Sequence, residues 1–134
     1  MYRFGRVSKL KLSTCDERLQ AVCEKALSYG VMDLTIIEGY RSQERQLELY
    51  HEGRTKIKKG WHNSKPSRAV DIAPYPVDWN NTYKFYIMAG LMFAAASELG
   101  VKLRYGGDWD GDFTNTDQTF HDLPHFELDK EEEE

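Results

Sequence analysis

A chain of 134 residues, 40% hydrophobic and 13% aromatic, is long enough for one domain with a real core. Its formal net charge of -4 and pI near 5.6 argue against a nucleic-acid binder, whose footprint is usually a basic face. The longest apolar run, Phe85 to Ala96, is about twelve residues, too short to span a bilayer, so no stable membrane insertion is expected.

Residues 1–12 are basic with scattered apolar positions and read as irregular. They lack the apolar core of a signal peptide. Ser13 or Thr14 is placed to cap a helix running to about Ser28, with Leu19, Val22, Cys23, Ala26 and Leu27 on one face and Gly30 at its end. Cys15 and Cys23, eight apart in that helix, would lie roughly 12 Å apart, too far for a disulfide. Free buried thiols fit a reducing cytoplasm at synthesis. Leu34-Thr35-Ile36-Ile37 is β-branched and apolar, the mark of a buried strand. Ser42 then caps a helix to about Glu52, with Leu47 and Tyr50 as its expected core contacts and Leu49 a weaker one.

Arg54 to Gly60 carries Arg54, Lys56, Lys58 and Lys59. It reads as a solvated loop, with attraction to a polyanion such as a cell-wall polymer or a lipid headgroup surface as the functional alternative. The stretch from Trp61 to Pro74 follows, ending in a short buried strand, Val70–Ala73. Thr82 caps a long helix through Leu99 that is apolar nearly all round and is closed by Gly100. Val101 to Tyr105 alternates as a strand does, Gly106 to Thr119 is a polar loop, and Phe120 to Leu128 returns to strand character. Few short strands separated by helices predict an α+β domain: a small antiparallel sheet flanked by helices. The run Glu131–Glu134 reads as a solvated acidic tail beyond a domain of residues 1–130.

Two polar–apolar junctions carry the chemistry. His62 and Asp71 bracket the first, and Asp122 and His125 lie in the second. Zinc binds imidazole nitrogen and carboxylate oxygen, and three protein ligands with an open position is the pattern of a catalytic site. His62, Asp71 and His125 meet that demand if their strands are neighbours. Asp122, three residues before His125, is a candidate general base, with His121 as its competitor. In a fully extended segment His121, Leu123 and His125 would share one face and Asp122 the other, unless Pro124 breaks the alternation. Asp108-Trp109-Asp110-Gly111-Asp112 packs three carboxylates into five residues. A calcium (Ca2+) loop could be built so, but the EF-hand pattern and its distal Glu are missing, and a plain polar active-site loop is the simpler reading. Trp109 either lines a cleft as a substrate contact or packs as an ordinary indole.

The residues carry a resemblance. From about Leu34 to Leu128 the chain resembles the M15 family of zinc peptidases, the D-alanyl-D-alanine dipeptidase and carboxypeptidase group with its hedgehog-like fold. Within it, the chain is most similar to phage L-alanyl-D-glutamate endopeptidases, which are endolysins. The motif Ser-x-His-x-x-Gly-x-Ala-x-Asp is met by His62, Ala69 and Asp71, and the acid-x-x-His element by Asp122 and His125. Glu38-Gly39-Tyr40-Arg41-Ser42 resembles the Gly-Tyr-Arg segment. The motif's Ser is Gly60 here, its Gly is Ser67, and the His-to-Asp spacing is nine rather than seven.

The resemblance implies one Zn2+ held by His62, Asp71 and His125, with Asp122 as general base and Arg41 as electrophilic support. Ser67 and Trp109 are the expected substrate-binding positions. The expected activity is hydrolysis of the L-Ala–D-Glu bond of bacterial peptidoglycan by a monomer. Such an enzyme would be made in the host cytoplasm and reach the wall after membrane permeabilisation. A D-Ala-D-Ala carboxypeptidase or dipeptidase, and a non-catalytic wall-binding module of the same fold, are the alternatives.

Overall fold

The computed structural model describes residues 1–53, 63–106 and 122–129. Its elements run α1 (Arg6–Leu12), α2 (Glu17–Ser28), β1 (Leu34–Glu38), α3 (Gln43–His51), β2 (Ala69–Pro74), α4 (Thr82–Leu99), β3 (Leu103–Tyr105) and β4 (His125–Leu128). The strands form one antiparallel sheet in the order β1-β2-β4-β3. This is the α+β arrangement expected. The basic loop of residues 54–60, the Asp108–Asp112 segment and the acidic tail lie outside the described residues.

The two long helices form the layer that covers the sheet. Leu19, Val22, Cys23, Ala26 and Leu27 of α2 are buried as the periodicity demands. They belong to one core with Phe85, Met88, Met92 and Ala96 of α4 and with Ile36, Ile72, Phe126 and Leu128 of the sheet. Tyr105 and Phe126 stack with centroids 4.4 Å apart across the β3–β4 pair. Every residue of β2 and β4 is buried, so the polar side chains on these strands are enclosed by the fold. Helix α4 is not buried all round: Tyr83, Ile87 and Leu99 are exposed.

Caps and boundaries depart from expectation in instructive ways. Ser42 does cap α3, accepting from the Arg45 N–H. Helix α2 is capped by Asp16 rather than Ser13 or Thr14, and α4 by Asn81 rather than Thr82, each one position before the helix. Cys15 therefore precedes α2, and both cysteines are free and buried. Residues 6–12, read as irregular, form α1. Its Gly5 cap contributes no side-chain bond, and a seven-residue helix has little stability of its own. Tertiary contacts hold it: Ser8 Oγ lies 3.0 Å from Thr35 Oγ1 and accepts from the Ile36 N–H. On α3 the core contacts are Leu49 and Gln46, whereas Leu47 is exposed.

Gly106 closes the β3–β4 pair beside Asp122: its N–H donates to the His125 carbonyl at 2.8 Å, and its carbonyl accepts from the Asp122 N–H at 2.9 Å. A Cβ at Gly106 would overlap the Asp122 carbonyl oxygen, whereas one at Gly90, exposed on α4, would meet nothing. The two substitutions should therefore differ in sign. Gly106→Ala is expected to destabilise by about 1–3 kcal/mol through overpacking, and Gly90→Ala to stabilise by about 0.5–1 kcal/mol through helix propensity. Thermal unfolding of the two variants checks this.

Candidate active site

Asp71 sits in the middle of β2 and His125 opens β4, and in the antiparallel register the two are direct cross-strand partners. Such partners point to the same face. His125 Nδ1 lies 3.2 Å from Asp71 Oδ1 and 3.9 Å from Asp122 Oδ2. The objection from strand alternation falls away, because residues 122–124 turn: the His125 N–H donates to the Asp122 carbonyl at 3.1 Å, and β4 begins only at His125. One donor atom from each of Asp71, Asp122 and His125 falls within 4.8 Å of the others. Two carboxylates and one imidazole, converging from mostly buried positions, form a donor set suited to a small divalent cation. His62, the third expected ligand, lies outside the described residues, as do His121 and Trp109.

A second carboxylate grips the far side of the imidazole. His125 Nε2 lies 2.7 Å from Glu127 Oε1, and Glu127 is itself buried, with Arg104 Nη1 3.5 Å from its other oxygen. Residues two apart on a strand share a face, so the spacing His-x-Glu in β4 is the sequence signal for this contact, one the motif reading did not use. Glu127 makes Nε2 a proton carrier and leaves Nδ1 facing Asp71 and Asp122.

Arg41 stands on the other side of Asp71. Its guanidinium grips Glu38 in a fork, Nε to Oε1 at 3.0 Å and Nη2 to Oε2 at 2.7 Å, and Nη1 donates to Gln46 Oε1 at 2.7 Å. Nη2 also lies 3.5 Å from Asp71 Oδ2. Gln46 is buried because α3 is phased to hold this arginine. Burial opposes the Arg41 charge, but Glu38, Asp71 and Asp122 more than compensate and hold it firmly protonated. Of the guanidinium's five N–H bonds, the four contacts named here leave one on Nη1.

Arg41, Asp71 and Asp122 face a cleft of about 450 Å³ whose walls also include Leu49, Phe85 and Trp79. Trp79, half exposed and stacked on Phe85 at 5.5 Å, is a cleft-wall indole not singled out from sequence. Ser67, expected at the substrate, is fully buried instead. Its hydroxyl donates to the Ala69 carbonyl at 2.7 Å and its N–H to the Thr14 carbonyl at 2.9 Å. Ser67 thus ties the loop before β2 to the residues before α2, with no surface to offer a substrate.

The fold and this cluster define the class. The structure superposes on an L-Ala D-Glu endopeptidase of Serratia marcescens, ChiX, with a TM-score of 0.79 and 27% identity over 96% of this chain and 90% of that one. The vancomycin-resistance D,D-dipeptidase VanXYg shares the fold at a TM-score of 0.51 and 17% identity, over 85% of this chain and 50% of that one. The D,D-pentapeptidase VanY, solved with Zn(II), does so at 0.50 and 16%, over 85% of this chain and 72% of that one. The model of the phage L-alanyl-D-glutamate peptidases matches residues 1–129, and the chain belongs to that family. The L-alanyl-D-glutamate peptidase of Escherichia phage T5 is 33% identical over 126 residues, 90% of this chain and 88% of its own.

In the metal-free protein His125 carries an unusual proton. Burial alone would push the imidazole down, but hydrogen bonds to Asp71 and Glu127 and the charges of Asp71 and Asp122 raise it to about 10. Because the folded value is raised, the stability it contributes is fully present below the ordinary value of 6.5 and is lost as pH rises through about 10. Nuclear magnetic resonance of the metal-free protein should show His125 protonated through neutral pH. Glu127→Gln should lower its titration point by at least ~1 unit, through loss of one carboxylate partner.

Proposed function

We propose that the chain is a zinc-dependent peptidoglycan peptidase that hydrolyses the L-Ala–D-Glu bond of the stem peptide. The observation that carries the reading is the convergence of Asp71, Asp122 and His125 donors within 4.8 Å, at a cleft that Asp71 and Asp122 line, in a member of the L-alanyl-D-glutamate peptidase family. His62, Asp71 and His125 would hold one zinc, with Nδ1 as the His125 donor because Nε2 is engaged by Glu127. Zinc supplies Lewis acidity, polarising a carbonyl and lowering the pKa of water towards 7.

The chain's own residues do the rest. Asp122, the least buried member of the cluster, takes the proton of the attacking water and returns it to the departing amine. Arg41, held by Glu38 and Gln46, offers its remaining Nη1 hydrogen and fixed charge to the oxygen on which negative charge develops. Trp79 and Phe85 line the apolar side of the cleft and exclude water. The enzyme is made in the host cytoplasm and acts on the wall after membrane permeabilisation; no described helix is long and apolar enough to cross a membrane.

Roles separate by metal content and rate. His125→Ala and His62→Ala should each lose most of the bound zinc. Asp122→Asn should keep zinc and fold while losing wall hydrolysis by roughly a hundredfold or more, as loss of a general base requires. Unchanged zinc in both histidine variants would overturn the ligand assignment. Mass spectrometry of digested peptidoglycan tests the bond: stems beginning at D-Glu are expected, and release of D-Ala or D-Ala-D-Ala alone would overturn the endopeptidase. Arg41→Lys is expected to lose most activity without losing zinc, because an ammonium does not reproduce the fork to Glu38.

A further inference from the structure

We infer that the groove between α1 and the corner after β1 is an extended subsite for an acidic stretch of substrate peptide, with Lys11 and Lys65 as its carboxylate-binding groups. The inference rests on the peptidase reading and adds to it a place where the substrate is held away from the scissile bond.

The groove encloses about 430 Å³ between Leu10 and Lys11 on one side and Gly39 and Tyr40 on the other. It shares Ile37 and Glu38 with the walls of the catalytic cleft, so the two depressions flank the same strand end. A peptide leaving the cleft past Glu38 enters this groove. Its walls offer apolar surface to cover, since Leu10 is 63% exposed and Tyr40 37%. Its shape is fixed by backbone packing. The Tyr40 N–H donates to Thr14 Oγ1 at 2.8 Å, and a Cβ at Gly39 would overlap the Lys11 carbonyl oxygen and Thr14 Oγ1. A subsite already formed costs little ordering on binding.

Charge selects the ligand. Lys11 is exposed beside Leu10 because Ser8 and Leu12 form the inward face of α1, and it makes no ion pair among the described residues. Lys65, also exposed, holds its Nζ 5.6 Å from the centre of the Tyr40 ring. The first fifteen residues hold Arg3, Arg6, Lys9 and Lys11 and no acid, in a chain whose net charge is -4. The only acid on the groove's lining among the described residues, Glu38, has both carboxylate oxygens on Arg41. A carboxylate in the groove therefore meets Lys11 on its lining and Lys65 beside the Tyr40 ring, with the Glu38 charge already paired to Arg41. Oppositely charged groups at such a rim steer the encounter and set register.

The test uses the full zinc-loaded chain and two soluble stem peptides containing the L-Ala–D-Glu bond, one with free carboxylates and one fully amidated. For Lys11→Glu/Lys65→Glu, KM for the acidic peptide should rise by at least about fivefold, the scale of two exposed ion pairs lost and reversed. The kcat, the zinc content and the kinetics on the amidated peptide should change less than about twofold. Lys11→Arg/Lys65→Arg should restore KM, and high salt should erase the preference for the acidic peptide. Calorimetry of the acidic peptide on Asp122→Asn protein, with and without the charge reversals, reads binding without turnover. Lysine-dependent binding there supports the subsite even if no peptide is cleaved, in which case the peptidase reading alone fails. Wild-type cleavage with no lysine dependence of KM or binding would overturn the subsite and leave the peptidase reading standing.

Discussion

The candidate site depends on one registration, the antiparallel pairing of β2 with β4 that sets Asp71 opposite His125. A slip of one residue would turn one of the two side chains to the other face of the sheet. The register is secured from both sides. Val70 pairs with Phe126, and both are buried in the apolar core. Beyond the paired residues, the Ile72 N–H reaches the Pro124 carbonyl at 3.0 Å and the Leu128 N–H the Arg68 carbonyl at 2.9 Å. The apolar core thus does functional positioning: the same packing that buries Phe126 and Leu128 aims His125.

Around that pair the charges form a chain across the sheet: Glu38, Arg41, Asp71, His125, Glu127 and Arg104, each within 3.5 Å of the next. Such a chain is tolerable inside a fold because each charge has an opposite or hydrogen-bonding neighbour; an unpaired one would be costly. In the metal-free state the proton on His125 separates Asp71 from Glu127. A cation at Nδ1 would take over that role towards Asp71 and Asp122, with the Nε2 proton kept for Glu127. Metal uptake and loss of one proton are therefore coupled through a single ring.

Much of this was legible in the sequence, and the failures have physical reasons. The amphipathic stripe of α2, the apolar length of α4 and the Ser42 cap are local signals that packing did not override. Asp71, Asp122 and His125 stood out because polar groups at polar–apolar junctions are aimed by rigid backbone. Helix α1 was missed because its stability comes from Ser8 bonding to β1, a contact far away in sequence. Leu49 rather than Leu47 faces inward because α3 is rotated to bring Gln46 to Arg41, a polar demand that hydropathy does not register. Ser67 looked available because a loop serine usually is; its burial depends on pairing with Thr14, which only the fold reveals. Glu127 is readable from its i,i+2 relation to His125, a spacing that lies outside the acid-x-x-His element.

In the proposed site the β2–β4 register directs His125 Nδ1, and not Nε2, to a metal shared with Asp71. Anomalous diffraction at the zinc edge, from crystals of the zinc-loaded protein, tests it most directly. One zinc peak is expected about 2.0–2.2 Å from His125 Nδ1 and from an Asp71 oxygen, with Nε2 still against Glu127. A peak on the Nε2 side of the ring, or away from Asp71 altogether, would contradict it.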